Sequence, residues 1–300
     1  MIFSFLCLSF CCTSIVTNGV LSGSNCYNVV DVVFENLASS SGSALYLNQG
    51  GSSVFIEFCK FYHCYSPSLS DSYRGGAIYI ISLSILLRYS CADRCYHYGG
   101  QFCVISGSSN TFFNDSMVQN SAPLTDNSVR YHTIQFYGDA STRCNVSYNT
   151  VRGGHGTSYF TWQDAKKLEI SFSNIIGNQG EEVLRLGSAI VTMKYLNVIS
   201  NLLISGASYY GTSSLSQMHD SILIGNTCRV FCVTSNSVQL YNCKYSSLNS
   251  GVTAVSNCIQ TLSAPTIVIQ SIKCDYFTIT RSFRRNVHKS FFCFLPLYDM

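Results

Sequence analysis

Apolar and polar residues alternate along this chain in short bursts, broken by Asn, Gly and Ser, as in Val54, Ile56 and Phe58. In a second burst Phe172 is flanked by Ser171 and Ser173. A period of two puts one face of a strand inward. No window carries a sustained apolar stripe at the helical period of 3.6. The bursts recur. "SNIIGN" ends at Asn178, "LNVISN" at Asn201, "SILIGN" at Asn226 and "YSSLN" at Asn249, a nearly fixed repeat of about 24 residues. "SMVQN" ending at Asn120 and "NTVRG" starting at Asn149 read as earlier turns of the same pattern.

A glycine motif keeps similar time: "GSAL" at Gly42 to Leu45, "GGAI" at Gly75 to Ile78 and "GSAI" at Gly187 to Ile190. Gly99 and Gly100 repeat the pair Gly75 and Gly76 one such interval further on. A repeat this short holds several strands and tight corners but not a strand, a helix and two loops. The expected fold is all-β: a right-handed, single-stranded parallel β-helix, a pectin-lyase-like solenoid of about ten coils over residues 28–280. At ~4.8 Å per strand spacing it would make a rod roughly 50 Å long. One coil buries little and each neighbour adds a hydrogen-bond ladder and an apolar interface, so stability grows with coil number. The recurring Asn is expected to form a stacked amide ladder.

Composition agrees with this reading. Of the 300 residues 47% are hydrophobic and 11% charged, against a usual charged fraction of about 25%, and Ser, Asn and Thr carry the polarity instead. A net charge of +3, thinly spread, leaves no basic stripe for nucleic acid. Residues 1–16 contain an apolar run that reads as a secretory signal segment, with a first buried coil or cap as the alternative. Residues 281–300 form a basic and apolar tail. Its run from Phe291 to Leu297 is too short to cross a bilayer, so no transmembrane anchor is expected.

Sixteen cysteines and two Asn-x-Ser sequons, at Asn114 and Asn145, favour export, with those two asparagines as glycosylation candidates. Cys59 precedes Cys91, and Cys64 precedes Cys95, by close to the interval that separates "GSALYL" from "GGAIYI". Each pair is expected to occupy equivalent places in adjacent coils, as a disulfide or, preferably, as stacked buried thiols.

The GGAI-type motifs, with "FFN" (Phe112 to Asn114), "FSN" (Phe172 to Asn174) and "YLN" (Tyr195 to Asn197), resemble the large β-helix surface-protein families of trichomonad protists. More remotely they resemble the passenger rods of chlamydial polymorphic outer-membrane proteins. The resemblance implies a secreted or cell-surface rod.

Catalytic parts are sparse. Glu181 and Glu182 are the only adjacent acidic pair, and neighbours on a strand face opposite ways. "RGGHG", Arg152 to Gly156, is similar to a polygalacturonase motif, but Val151 stands where its aspartate belongs. His63, His97, His132, His219 and His288 form no metal-binding spacing, and no cofactor signature is present. The expected function is non-catalytic adhesion or recognition of a glycan or protein ligand on another surface. The alternative is a polysaccharide lyase or glycoside hydrolase of the same fold, which would need carboxylates from neighbouring coils converging in one groove.

Overall fold

The structure, a computed structural model, describes residues 12–14, 19–20, 26–39, 42–67, 75–97, 100–121, 132–150, 157–161, 167–180, 182–186, 190–203, 207–211, 215–227, 229–233, 237–248, 252–263 and 267. Every strand pairing among them is parallel, and the strands build three long sheets of nine, eleven and ten members. The chain visits the nine-stranded, the eleven-stranded and the ten-stranded sheet in that order, turn after turn. This is the parallel β-helix solenoid that the repeat implies, and the strand numbers agree with about ten coils.

Alternation within each strand sets the core. In Ser53–Glu57, Val54 and Ile56 are buried while Phe55 and Glu57 face out; Ser84–Arg88 and Lys60–Tyr62 follow suit. The inward residues join into one continuous hydrophobic core along the described length.

The coil is not of constant length. In the eleven-stranded sheet Ser53 lies opposite Ser84, 31 positions on, whereas Gln217 lies opposite Gln239, only 22 positions on. The nearly fixed period is therefore corrected. One corner never varies. Among the described residues the chain spends two residues between the eleven-stranded and ten-stranded sheets at every coil, the first with positive φ and the second buried except at the last, Cys258, as in Phe58 and Cys59, Tyr89 and Ser90, Phe172 and Ser173, Tyr195 and Leu196. Length varies elsewhere, where Ser66 leads to Ile78 but Ile224 leads to Arg229.

This corner inverts two of the sequence expectations. A left-handed residue interrupts the alternation, so Phe58 points outward and Phe172 is 43% exposed while Ser171 and Ser173 are buried. Outside, the corner rings stack: Phe58 on Tyr89 at 5.0 Å and Phe172 on Tyr195 at 4.7 Å between centroids. Inside, the buried members form a column in which a backbone N–H meets a hydroxyl wherever the next coil supplies Ser. Ser90 N donates to Ser116 Oγ (3.2 Å), Cys144 N to Ser173 Oγ (3.1 Å) and Leu196 N to Ser221 Oγ (3.0 Å).

The corner leaving the ten-stranded sheet carries the asparagine ladder. Asn149, Asn178, Asn201 and Asn226 stand over one another, all at most 9% exposed. Asn149 Nδ2 donates to Asn178 Oδ1 (3.1 Å), Asn178 Nδ2 to Asn201 Oδ1 (3.1 Å) and Asn201 Nδ2 to Asn226 Oδ1 (2.9 Å). Each ladder oxygen also accepts the preceding member's backbone N–H, as from Asn178 N to Asn201 Oδ1 (3.0 Å). Each amide nitrogen also reaches back to a carbonyl, as Asn201 Nδ2 does to Ile175 O (3.0 Å).

Two expected members differ. Asn120 is the left-handed corner residue, and Ser121 takes the ladder place, donating its N–H to Asn149 Oδ1 (2.9 Å). Asn249 lies outside the described residues. Counting on from Tyr245 opposite Leu223 brings Leu248 opposite Asn226, packed against the core.

The glycine motifs divide likewise. "GSAL" and "GGAI" stack directly, Gly42 N donating to Gly75 O (2.8 Å) and Leu45 lying opposite Ile78. A Cβ on Gly75 would come 1.8 Å from Ile78 O and 2.8 Å from Val104 N, so no side chain fits. "GSAI" is not equivalent: Ile190 opens a strand of the eleven-stranded sheet, whereas Leu45 and Ile78 open strands of the nine-stranded one.

Cysteine placement is also refined. Cys64 and Cys95 follow equivalent corner residues, His63 and Arg94, and are buried free thiols in adjacent coils. Cys59 does not pair with Cys91. It stacks on Ser90, its N–H donating to Ser90 Oγ (3.3 Å), while Cys91 lies opposite Lys60 and points outward. Cys91 and Cys26 are each disulfide-bonded. Toward the amino end Cys12–Ser14 pairs in parallel with Cys26–Asn28.

Candidate recognition surface

The corner after the ten-stranded sheet gathers the densest set of polar aromatic groups on the described exterior. Tyr62 ends Lys60–Tyr62 and points outward because Phe61 fills the core. His63 follows with φ of 49°, which swings its ring outside while Cys64 turns in. Tyr65 opens Tyr65–Ser66, which pairs with Tyr96–His97, so Tyr65 and Tyr96 are vertical neighbours. Their rings stack with centroids 5.0 Å apart at 27°.

His63 lies against this stack, 5.7 Å from both rings, and links it to the coil below. Its Nδ1 is 2.8 Å from Asn36 Oδ1 and its Nε2 is 3.2 Å from Tyr96 Oη. An amide oxygen only accepts, so Nδ1 carries the proton and Nε2 accepts from the Tyr96 hydroxyl. Asn36 Nδ2 continues the chain to Glu35 Oε1 at 3.5 Å. Arg94, in the corner above His63, donates Nη1–H to Tyr62 Oη (3.0 Å), and Lys60 Nζ stands 5.7 Å from the same ring's centroid. The Tyr96 phenol is raised above its ordinary value, chiefly by burial and then by Tyr65 and Cys95. It therefore remains a hydrogen-bond donor at neutral pH.

What results is a half-exposed stack of two phenol rings, edged by a guanidinium, a tilted imidazole and a third phenol whose orientations are already set. Further stacks run along the rod: Tyr46 on Tyr79 (5.3 Å) and His219 on Tyr241 (4.7 Å). These pairs arise because like positions recur every coil, and the sequence offered their signal in the corner aromatics without revealing that they face outward.

The candidate acidic groups are dispersed. Glu57 is held by Arg88 Nε (2.7 Å), Asp115 is ion-paired with Arg143, and Asp139 Oδ2 accepts from Thr111 N (2.8 Å). Glu182 opens a strand, and Glu181, Arg152 to Gly156 and His288 lie outside the described residues. Among the described residues no three His, Cys, Asp or Glu side chains gather as metal ligands. Nor is any helix among them long and apolar enough to cross a membrane. Of the two sequons, Asn114 lies on the outward face of the eleven-stranded sheet and Asn145 on that of the ten-stranded sheet.

Compared with family models, with curated proteins and with solved structures, the chain finds no match in any of the three.

Proposed function

We propose that this chain is a non-catalytic rod, exported to the cell surface or beyond it, whose flank recognises a glycan or protein ligand on another surface. The observation that carries the reading is the Tyr65–Tyr96 platform with His63, Tyr62 and Arg94 at its edge. A sugar ring offers an apolar C–H face to a stacked aromatic surface and hydroxyls to donors and acceptors at its rim, so platform and edge are complementary to carbohydrate. A rigid repeat that presents such pairs at several heights also suits multivalent contact, in which weak single sites add up.

Export is supported by the disulfides at Cys26 and Cys91, which persist in oxidising compartments, and by the apolar amino-terminal run. It agrees with the resemblance to trichomonad surface proteins. The engagement of Glu57, Asp115 and Asp139 by structural partners supports a non-catalytic reading over the polysaccharide-degrading one.

The test is binding of purified protein to a glycan array and to intact cells, beside a Tyr65→Ala/Tyr96→Ala variant. Binding by the native chain with at least a tenfold loss in the variant is expected. No signal above a control protein, or equal signal from the variant, contradicts the reading. Release of reducing ends or unsaturated sugars from a polysaccharide panel would establish the enzyme instead.

A further inference from the structure

The two sequons are equivalent in sequence and differ in surroundings. Asn145 faces outward from the ten-stranded sheet and is itself half-buried, on a face that is covered only in part. The outward residues Cys91, Met117, Ser147, Asn197, Ile222 and Ile224 on that sheet are all 9% exposed or less. Part of the cover is chain itself: Ile267 N donates to Asn197 Oδ1 (3.0 Å) and Asn197 Nδ2 donates to Ile267 O (2.8 Å). Two coils from that contact Asn145 Oδ1 is buried with no hydrogen-bond partner. A glycan there would have to displace the packing on that face.

Asn114 stands on the eleven-stranded sheet, whose outward face stays accessible: Phe55, Leu86, Phe112, Asn114 and Thr142 are all half-buried, and Glu169 is exposed. Its side chain is already oriented, since Oδ1 accepts from Thr142 N (3.2 Å) and Thr142 Oγ1 (2.9 Å). The amide nitrogen is left on the other side of the planar group. Two residues earlier on the same face is Phe112, opposite Leu86, which is itself opposite Phe55. An apolar stripe thus runs two residues to one side of Asn114, whose own column holds Arg88 and Thr142.

We propose that Asn114 is an N-glycosylation site whose first sugar lies over Phe112, and that Asn145 is left unmodified in the folded protein. The proposal rests on the export reading above. In the transfer, Asn114 Nδ2 bonds to C1 of the first sugar of a polyprenyl-diphosphate-linked oligosaccharide. The C1–O bond to the diphosphate breaks, the lipid diphosphate leaves, and the amide gives up one proton. The sugar's apolar face then packs on the half-buried Phe112 side of this stripe.

The experiment expresses the full chain in a glycosylating eukaryotic cell, once with its own amino terminus and once behind a supplied signal peptide with a reference sequon at the carboxyl end. Secreted protein is mapped by mass spectrometry after enzymatic deglycosylation in heavy-oxygen water. In chains carrying the reference glycan, Asn114 is expected to be occupied and Asn145 not, and Asn114→Gln should lose one glycan. Deglycosylation should lower the unfolding midpoint of the native chain but not that of Phe112→Ser. An unmodified Asn114 beside an occupied reference sequon overturns the proposal, as does a glycan on Asn145 in folded secreted protein. So does a midpoint change that is the same with and without Phe112. Failure of the native-leader chain alone to enter the secretory route overturns the export reading and leaves the result from the supplied leader to decide the site.

Discussion

A buried asparagine in this protein makes hydrogen bonds in three directions. Asn201 Oδ1 accepts both the N–H and the Nδ2 of Asn178, and its own Nδ2 serves Asn226 Oδ1 and Ile175 O. Asn201→Ala would leave those two donors and a carbonyl unsatisfied in a dry interior, at a cost of about 2–4 kcal/mol, and urea unfolding should report it. Ala at Gln179, beside the ladder and half-exposed, should shift the midpoint far less. The corner thiols make a second residue-scale prediction. Burial pushes Cys59, Cys144 and Cys243 up to about 12 from an ordinary 9.0. The native state holds these protons longer than the unfolded chain does, so their stabilisation is complete below pH 9 and is lost as pH rises toward 12. Because Ser fills the same column at Ser90, Ser116 and Ser173, the Cys59→Ser/Cys144→Ser/Cys243→Ser variant should fold. Its urea midpoint should fall less than that of the native chain between pH 8.5 and 11.

At the scale of the element, the two-residue corner decides how a coil is made. Its first residue sits in left-handed backbone, a cost of about 1–2 kcal/mol for most side chains, yet Phe, Tyr, Arg, Asp and Asn all occupy it. Stacking or ion pairing with the same position one coil away offsets that strain, at about 0.5–1.5 kcal/mol per aromatic pair. In the corner leaving the ten-stranded sheet Gly takes the left-handed place at Gly177 and Gly225, and at Gly177 the reason is visible: at φ of 65° a Cβ would stand 2.7 Å from Cε1 of Tyr148 in the coil before. Gly177→Ala should therefore destabilise by about 1–3 kcal/mol. Part of that cost should vanish in a Tyr148→Ser background, a coupling that a double-mutant cycle measures. The corner also explains which parts of the fold were legible. Strands, the parallel stacking of "GSAL" on "GGAI" and the ladder from Asn178 to Asn226 follow from period and residue type. The outward turn of Phe58 and Phe172 does not, because a single left-handed residue resets the alternation without any Gly or Pro to announce it. The same reset moves Asn120 and Cys91 one position away from where the period puts them. The His63 platform was illegible for a different reason: Asn36, His63 and Tyr96 come from three successive coils, and only the stacking distance brings them together.

For the whole molecule, stability is shared between neighbouring coils, and the corner between two of the sheets keeps register while the other connections absorb length. A long coil, from Ser53 to Ser84, and a short one, from Leu215 to Ser237, thus stack without disturbing the columns on either side. The proposed recognition role depends on this, since rings contribute to a common flank only if coils of unequal length remain aligned. The outward column through Phe55, Glu169 and Ala254 gives the most direct test. Spin labels introduced there in pairs through non-natural amino acids, which spare the cysteines, can be measured by pulsed dipolar spectroscopy. Phe55 and Glu169 are four strands apart and Phe55 and Ala254 eight, so at ~4.8 Å per strand the expected separations are about 19 Å and about 38 Å. Narrow distributions in that two-to-one ratio would bear the account out; distances that fail to scale with the number of intervening strands would contradict it.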